Sequence, residues 1–494
     1  MIVAIDQSTA ATKSLVWSLD GRLIARADIP HRQITDLRGW IEHDPVEILN
    51  NCVKSVKSAL EKAQTDAKNV AVIGIANQRE TAVCWDKTTG MPVYNAIVWQ
   101  CARAADITRA VEESGWGAEI RKRTGLPLSP FFSAAKYAWI IKNIPEAGPA
   151  KNRGVLCCGT IDSWLVFKLT GGAFKTDYSN ASRTQLMDLK SCAWDAELAE
   201  VFGLNKKFLP EICMSDSLFG VTDLNGLLPA PVAVHGVMGD SHAALFGNNC
   251  REFFDAKATY GTGASVMVNA GGTCPVPGDG VAAGIAWGMD NKITYALEGN
   301  INYAGAVIKW LVEDIGLIPD ARSAEAIARS VDDNGGVYLV PAFSGLGAPY
   351  FISGARAAFV GMGRAAKKAH LVRAAEECIA YQICDVVDAI NNCGGGRVIS
   401  AIRADGGPAR DNFLMQFQAD MLNIPVEINK TEELSGMGAA FCAASGAGLV
   451  TPENVFSSQA RSRITPAMDQ STRSSLYSGW KQAVRSVIIN ANQN

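Results

Sequence analysis

The sequence lacks a dominant charge. Its 46 basic residues are nearly balanced by 49 acidic ones, and the formal net charge is -3. Proteins that bind nucleic acid or an anionic membrane electrostatically carry a marked basic excess. The composition therefore gives no reason to expect either partner, and we expect a small ligand recognised by local chemistry.

Long hydrophobic runs are missing as well. No apolar run approaches the roughly 18 residues that a membrane span needs. The N-terminal stretch MIVAIDQSTA contains an acid and no basic segment of the kind that begins a secretory signal. We therefore expect a cytoplasmic protein without membrane insertion.

Cysteine spacing of the metal-binding type does not occur. The 13 cysteines are scattered between Cys52 and Cys442 and form no C-x-x-C pair. Structural zinc sites and disulfide frameworks need closer and more regular spacing. We expect reduced thiols that mostly fill the apolar core.

The two commonest nucleotide-binding loops are also absent, since neither G-x-x-x-x-G-K-[ST] nor a strand-linked G-x-G-x-x-G is present. Instead, DQSTAATKS, YGTGAS and ADGGPARDN place small residues in turns beside strands. Such turns can point backbone N–H groups and hydroxyls at phosphate oxygens, although each alone is more typical of a plain turn or hairpin. Together they favour one nucleotide held in a cleft.

The order of strands and helices suggests two related halves. With 494 residues, the chain exceeds the length at which a single core stops growing. The chain begins with a strand, a turn and a second strand, followed by a hairpin through Asp20 and Gly21, a helix after Asp44 and the strand NVAVIGIAN. A similar strand–turn–strand pattern begins again at ATYGTGASVMV. We predict two α/β domains, residues 1–248 and residues 249–494, and a helical tail after Pro466.

Polar residues at strand ends are the candidate ligand contacts. Arg79 and Glu80 follow one apolar strand, Trp99 follows another, and Asp240 lies where PVAVHGVM runs into a helix start. A guanidinium and a carboxylate can bind adjacent hydroxyls of a polyol while an indole covers its carbon face. A surface ion pair and a core tryptophan remain an equally good interpretation of this spacing.

Longer motifs are distributed in order over nearly the whole chain: NQRET, TGMPVYNAIVWQ, DYSNASRT, YGTG, YALEG, VPAFSGLGAPY, DGG and NFLMQFQAD. Together they resemble the FGGY carbohydrate kinase family, and within it the glycerol kinase branch. The resemblance implies an α/β fold of two actin/hexokinase-like (ribonuclease H-like) domains with an ATP cleft between them. It places polyol binding and the catalytic base in residues 1–248 and nucleotide binding in residues 249–494. ATP, Mg²⁺, a polyol or sugar substrate and a homodimer or tetramer are the expected cofactors and partners.

The resemblance also assigns roles by motif. Asp240 matches the base that deprotonates the attacking hydroxyl, and Asp6 and Asp240 match metal-binding carboxylates. The positions that match the substrate site are Arg79, Glu80, Trp99, Phe131, Asp240, Ser241 and Ser265. Those assigned to the ATP site are Ser8, Thr9, Ala10, Lys13, Gly261, Thr262, Gly305, Lys309, Gly407, Pro408 and Asp411.

Three substrate positions depart from the glycerol kinase pattern. Phe131 replaces the usual tyrosine, Ser241 a glutamine and Ser265 a phenylalanine. In DQSTAATKS, which we call the first phosphate turn, Ser8 replaces a glycine, and Lys13 stands where arginine is usual. Because the serines are smaller than the residues they replace, we predict an enlarged pocket and ATP-dependent phosphorylation of glycerol or of a somewhat larger polyol such as a tetritol or pentitol.

Two other functions remain open from the sequence. A ketose kinase acting on xylulose or ribulose belongs to the same family, although the intact Arg79, Glu80 and Trp99 set disfavours it. An actin- or Hsp70-like assembly protein would use the same ATP cleft without a small acceptor, and the acceptor cluster disfavours that function. His242 either faces the pocket or is a core histidine, and base rates slightly favour the core.

Overall fold

The computed structural model describes residues 1–457 and 459–492. The strands of the first half (residues 1–248) are β1 (Ile2–Gln7), β2 (Ala11–Trp17), β3 (Leu23–Pro30), β4 (Ile34–Thr35), β5 (Ile41–His43), β6 (Val72–Asn77), β7 (Ala82–Asp86), β8 (Met91–Pro92), β9 (Ala96–Ile97), β10 (Leu156–Thr160), β11 (Lys175–Asp177), β12 (Met187–Asp188), β13 (Ala193–Trp194), β14 (Glu211–Cys213), β15 (Gly220–Thr222) and β16 (Val232–Gly239). Its helices are α1 (Pro45–Lys62), α2 (Ala105–Glu113), α3 (Gly117–Thr124), α4 (Ser133–Asn143), α5 (Ala147–Asn152), α6 (Ile161–Leu169), α7 (Tyr178–Ala181), α8 (Ala196–Val201) and α9 (Asp240–Gly247).

The second half (residues 249–494) continues the numbering. Its strands are β17 (Ala256–Tyr260), β18 (Ala264–Gly271), β19 (Ala282–Met289), β20 (Lys292–Ile301), β21 (Tyr338–Val340), β22 (Ala358–Val360), β23 (Ile402–Gly406), β24 (Val426–Asn429) and β25 (Arg461–Ile464). Its helices are α10 (Gly305–Glu313), α11 (Ser323–Ala328), α12 (Lys368–Cys393), α13 (Asn412–Leu422), α14 (Leu434–Gly446), α15 (Pro452–Phe456) and α16 (Gln470–Asn492).

The main sheet of the first half has the strand order β15-β16-β6-β1-β2-β3. β1 pairs antiparallel with β2, whereas β6 runs parallel to both β1 and β16. Asp6 is in register with Ala76, and Gly239 with Asn77. The carboxyl ends of these three parallel strands therefore lie at one edge of the sheet.

The main sheet of the second half repeats this plan, with the order β19-β20-β18-β17-β23-β24-β25. β17 pairs antiparallel with β18 and parallel with β23, and Tyr260 is in register with Gly406. Both sheets thus have antiparallel strands on one side of their first strand, β1 or β17, and parallel strands on the other side. This architecture confirms the predicted α/β fold of two related domains.

Local sequence explains why these elements form. Asp44 caps α1 by accepting a hydrogen bond from the backbone N–H of Val46 at 2.8 Å, and Pro45 occupies the first turn. Every residue of β1 and β6 is buried, as expected of apolar strands covered on both faces. Gly21 adopts φ +93° in the hairpin turn after β2, a conformation that favours glycine.

Helix α14 returns from the second half to cover the first sheet, where it packs against β1, β6 and β16. The helix approaches its neighbours closely because a glycine lies at each contact, Gly74 on β6 and Gly438 on α14 itself. A Cβ at Gly74 would be 2.3 Å from the carbonyl oxygen of Ala439, and one at Gly438 would be 1.9 Å from that of Ala243. A larger residue at either position would push the helix away from α9 or the sheet.

The cysteines and the tail agree with the sequence analysis. All 13 cysteines are free, and most are buried. The predicted tail helix is α16, which buries Trp480 in a stacked contact with Tyr381 at a ring-centroid distance of 5.4 Å. Within the described residues, no helix combines the length and the apolar character needed to cross a membrane.

Candidate active site

Three parallel strands of the first sheet deliver polar residues to the same edge. Asp6 lies near the end of β1, Arg79 and Glu80 follow β6, and Asp240 follows β16 as the first residue of α9. Glu80 adopts φ +60°, a rare backbone conformation for a residue with a side chain. Strain of this kind concentrates at ligand sites, which marks this edge as the candidate active site.

The side chain of Asp240 is partly exposed to solvent, and its surroundings shift its pKa. Its side chain keeps 30% of its surface exposed, and its Oδ1 lies 3.4 Å from Nε of Arg79. Partial burial raises the pKa of Asp240, while the Arg79 guanidinium acts in the opposite direction. A carboxylate whose pKa is raised accepts a proton more readily than an ordinary aspartate.

Asp6 has a free oxygen. It is 3% exposed, and its Oδ1 is buried without a hydrogen-bond partner. Burial raises its pKa to about 6, although Lys13, with Nζ 3.7 Å from Oδ2, opposes the shift. A buried carboxylate oxygen without a donor suits a hard cation such as Mg²⁺. Among the described residues, no group of three or more histidines, cysteines, aspartates or glutamates could hold a metal by itself.

Lys13 is the cation closest to Asp6 in the first phosphate turn. Its Nζ also lies 3.1 Å from Oε2 of Glu433. Burial lowers the pKa of Lys13, but Asp6 and Glu433 outweigh burial and raise it. The ammonium is therefore charged at neutral pH and is paired with both carboxylates.

Arg79 and Glu80 take part in a buried network of charged residues. Both terminal nitrogens of Arg79 donate to Glu298 on β20, each at 3.0 Å. Arg183 donates to Glu80 at 2.6 Å and lies 2.9 Å from Glu298. Burial alone would raise the pKa of Glu298, but Arg183 and Arg79 hold it well below its usual range.

The network corrects one alternative drawn from the sequence, because Arg79 and Glu80 are not a surface ion pair. They are buried and bound to other partners. Arg183 and Glu298 were not singled out in the sequence, although both lie inside the motifs DYSNASRT and YALEG. Their position within the quoted motifs was the signal that could have found them.

Trp99 and Phe131, both assigned to the substrate site from the sequence, are in contact with each other. The rings of Trp99 and Phe131 meet edge to face with centroids 5.3 Å apart. The indole Nε1 of Trp99 donates to Oγ1 of Thr9 at 2.9 Å, which connects these rings to the first phosphate turn. Ser265 donates to Glu298 at 3.1 Å, so its hydroxyl belongs to the ionic network. Ser241 is half-buried beside Asp240.

His242 is buried, with 1% of its surface exposed, but it is not fully satisfied. Its Nδ1 has no hydrogen-bond partner and would lie 3.0 Å from a Cβ at Gly239. Burial, reinforced by Arg79, lowers the pKa of His242 well below its usual value. The ring is therefore neutral and lies buried beside Gly239.

The first phosphate turn is closed internally. Both the backbone N–H and the hydroxyl of Ser8 donate to the carbonyl of Ala11, each at 2.9 Å. The serine that replaces a glycine here is therefore used inside the turn, and Ala10 is exposed next to it. The turn keeps a tight shape despite its altered sequence.

The turns of the second half converge on one another. Gly305 donates to the carbonyl of Gly261 at 2.9 Å, and a Cβ at Gly305 would be 3.3 Å from Cγ of Pro408. A Cβ at Gly406, where φ is +95°, would lie 2.0 Å from the carbonyl oxygen of Tyr260. A Cβ at Gly407 would meet nothing within 4 Å, so this face of the turn is open.

The remaining predicted nucleotide positions differ in exposure. Thr262 connects β17 to α10 through its carbonyl, which accepts from the N–H of Ala304 at 2.9 Å. Asp411 caps α13 by accepting from Leu414 at 2.9 Å. Lys309 lies on an exposed face of α10, with Nζ 3.5 Å from Glu313.

Comparison with known proteins identifies the family of the chain. Residues 1–247 match the FGGY family of carbohydrate kinases, N-terminal domain, and residues 256–447 match the C-terminal domain of that family. The chain is 42% identical to glycerol kinase 1 of Thermotoga maritima over 490 residues, which is 99% of each protein. It is 43% identical to the glycerol kinase of Symbiobacterium thermophilum over 486 residues, covering 98% of this chain and 97% of that protein.

Solved structures give the same result. The crystal structure of Plasmodium falciparum glycerol kinase with ADP superposes with a TM-score of 0.93 at 34% identity, covering 98% of both chains. A xylulose kinase from Lactobacillus acidophilus has a TM-score of 0.87 at 21% identity and covers 100% of this chain and 99% of its own. The second likeness is one of fold alone.

Proposed function

Because the chain belongs to the FGGY family of carbohydrate kinases, we propose that it transfers the γ-phosphoryl group of ATP to a hydroxyl of glycerol or of a somewhat larger polyol, such as a tetritol or pentitol. ATP-dependent carbohydrate kinase activity in the glycerol kinase-like branch follows from the family and its relatives. The acceptor and the roles of individual residues are what we propose.

The observation that carries the proposal is Asp240, a reachable carboxylate beside Arg79 at the carboxyl edge of the first sheet. Phosphoryl transfer depends mainly on positioning and charge neutralisation, and one carboxylate within reach of the nucleophile suffices as base. Asp240 accepts the proton of the attacking hydroxyl, and the raised pKa of Asp240 favours this step. Arg79 keeps the carboxylate oriented.

Acceptor recognition rests on a rigid polar pair and an aromatic wall. Glu298 and Arg183 hold Arg79 and Glu80 in fixed orientations, so the two can bind adjacent hydroxyls without further ordering. Trp99 and Phe131 cover the carbon face of the polyol.

Ser241 and Ser265 would leave space in the acceptor site for a longer polyol. The side chain of Ser265 is drawn toward Glu298, and Ser241 is short, so neither fills the volume of phenylalanine or glutamine. An additional CHOH unit of the acceptor would occupy that volume.

For the nucleotide, residues 8–10, Lys13, Gly261, Thr262 and Gly305 would contact phosphates, and Lys309, residues 407–408 and Asp411 the rest of ATP. Asp6 and Asp240 would hold Mg²⁺, which neutralises phosphate charge when bound. The free buried oxygen of Asp6 supports this assignment. Phosphate and water oxygens would complete the coordination. We further propose domains at residues 1–248 and 249–494, a cytoplasmic location, and a homodimer or tetramer.

The test is ADP release by purified protein with ATP and Mg²⁺ in the presence of glycerol, tetritols, pentitols, xylulose or ribulose. Turnover of a polyol supports the proposal. Turnover of xylulose or ribulose alone would replace it with a ketose kinase, and no turnover of any acceptor would contradict it.

A further inference from the structure

Helix α9 joins the two halves at the site. It begins at Asp240, the proposed base, and ends at Gly247, so its eight residues span about 12 Å. Its first residue belongs to the acceptor site of the first half. Its last residues face side chains of the second half.

Side chains of the second half bind the carboxyl end of α9. The side-chain amide of Asn248 donates to Oδ2 of Asp405 at 2.6 Å. The carbonyl of Asn248 accepts from Arg461 at 2.8 Å, and that of Gly247 accepts from Gln459 at 2.8 Å. Carbonyls at a helix end lack partners within the helix, so these bonds fix the end of α9 to the second half.

Asp405 connects these contacts to the nucleotide turn. It lies in register with Thr259 in the parallel pair of β17 and β23, and residues 406–408 of the turn follow it directly. Lys257, which is fully buried, donates to Oγ1 of Thr259 at 2.7 Å, and its positive charge acts on the nearby Asp405 carboxylate. Asp405 is half-buried, and its bond to Asn248 together with its place in the strand pair leaves it little freedom to move alone.

We propose that Asn248 is a positioning residue for phosphoryl transfer, which couples the nucleotide turn to Asp240 through Asp405 and α9. The inference rests on the proposed function for the identities of the base and the turn. A nucleotide that orders residues 406–408 also orders Asp405, and the short bond to Asn248 transmits this order to the helix that carries Asp240. Coupling of this kind needs a contiguous set of contacts, which these residues supply.

Hydrogen–deuterium exchange with ADP as the probe tests the coupling without any acceptor or turnover. Two peptides are followed, one over residues 240–248 and one over residues 405–411. The test variant is Asn248→Ala. The matched control is Asn334→Ala. This variant removes another buried bond from a side-chain amide to a carboxylate, since Nδ2 of Asn334 donates to Oε2 of Glu377 at 3.0 Å within the second half.

Saturating ADP should protect the 405–411 peptide in every protein. It should slow exchange in the 240–248 peptide about fivefold or more in the wild type and the control, and less than about twofold in Asn248→Ala. A merely structural role for Asn248 would raise the exchange of α9 without ADP and leave the ADP-dependent ratio unchanged, which would overturn the proposal. So would a wild type whose α9 does not respond to ADP.

A second variant guards against misfolding. Thr259→Val has nearly the same volume as the wild type and removes the hydroxyl that lies in register with Asp405 and binds Lys257, so it should reduce the ADP-dependent ratio at α9 at least about twofold. An unchanged ratio would overturn the proposal. Failure of the proposed function appears separately, as absence of polyol phosphorylation, because the exchange experiment contains no acceptor.

Discussion

At the scale of single residues, Asp240 carries the proposed proton transfer. Asp240→Asn should lower kcat by about 10²- to 10⁴-fold, because the amide cannot accept the proton. The KM for ATP should rise as well, because Asp240 also belongs to the proposed Mg²⁺ site. Steady-state rates of ADP release measure both quantities.

The control for this variant is Asp216→Asn. Asp216 is a partly buried carboxyl whose pKa is also raised by burial, and it is distant from the proposed chemistry along the chain. Its rates should remain near those of the wild type. Retention of more than about a tenth of the activity by Asp240→Asn would rule out the base assignment.

Ser265 tests the enlarged pocket. Ser265→Phe should refill the space and lower the kcat/KM ratio of a tetritol or pentitol to glycerol by about 10- to 100-fold, because each mismatch of a methylene or hydroxyl is worth about 1–3 kcal/mol. Ser265→Ala also removes the hydrogen bond to Glu298 without filling the pocket. An equal change of the ratio in both variants would mean that the bond to Glu298, and not the space, sets acceptor preference.

At the scale of elements, Glu298 ties β20 to the loop after β6. Glu298→Gln should lower the free energy of unfolding by about 3–5 kcal/mol, because it leaves Arg79 and Arg183 buried with one carboxylate fewer. Denaturant titration measures the change. Glu119→Gln, on the surface of α3 beside Arg123, should cost much less, because water screens this ion pair. Equal losses in the two variants would contradict the role of burial.

His43 at the end of β5 predicts a pH effect on stability. Its ring is held neutral, with Nε2 2.8 Å from Gln33 and Nδ1 3.3 Å from Gln78. Burial, aided by His31, lowers its pKa to about 3. Between pH 6.5 and 3 the unfolded chain binds a proton at His43 that the folded protein does not, so this contribution to stability is lost as the pH falls.

The measurement compares the wild type with His43→Gln, because buried carboxyls such as Asp162, whose pKa burial raises to about 7, act in the opposite direction in both proteins. The stability of the wild type relative to the variant should fall by about 2 kcal/mol between pH 7.5 and pH 5. A difference that does not change with pH would show that His43 does not titrate as argued.

Much of the site at this scale was predictable because local patterns place Asp6, Arg79 and Asp240 at strand ends. Their ionic partners were not predictable from spacing. Arg79 bonds Glu298 across 219 residues, and Arg183 bonds Glu80 across 103. Pairs so distant in sequence are set by the assembled sheets, and no periodicity within a strand or helix encodes them.

At the scale of the whole molecule, the repeated strand–turn–strand pattern was enough to predict two related α/β halves. The return of α14 to the first sheet was not predictable, because its apolar composition suits any buried face. The close approach at Gly74 and Gly438 selects that sheet, and such an approach is visible only in the assembled structure.

The acceptor preference of the intact enzyme tests the account most directly. The measurement is kcat/KM of the wild type for glycerol, erythritol, threitol, xylitol, arabitol and ribitol with saturating ATP and Mg²⁺. The account predicts that a four- or five-carbon polyol has the highest value. A preference for glycerol by about a hundredfold, equivalent to roughly 3 kcal/mol, would contradict the enlarged pocket and would mean that the space left by Ser241 and Ser265 is filled by other residues.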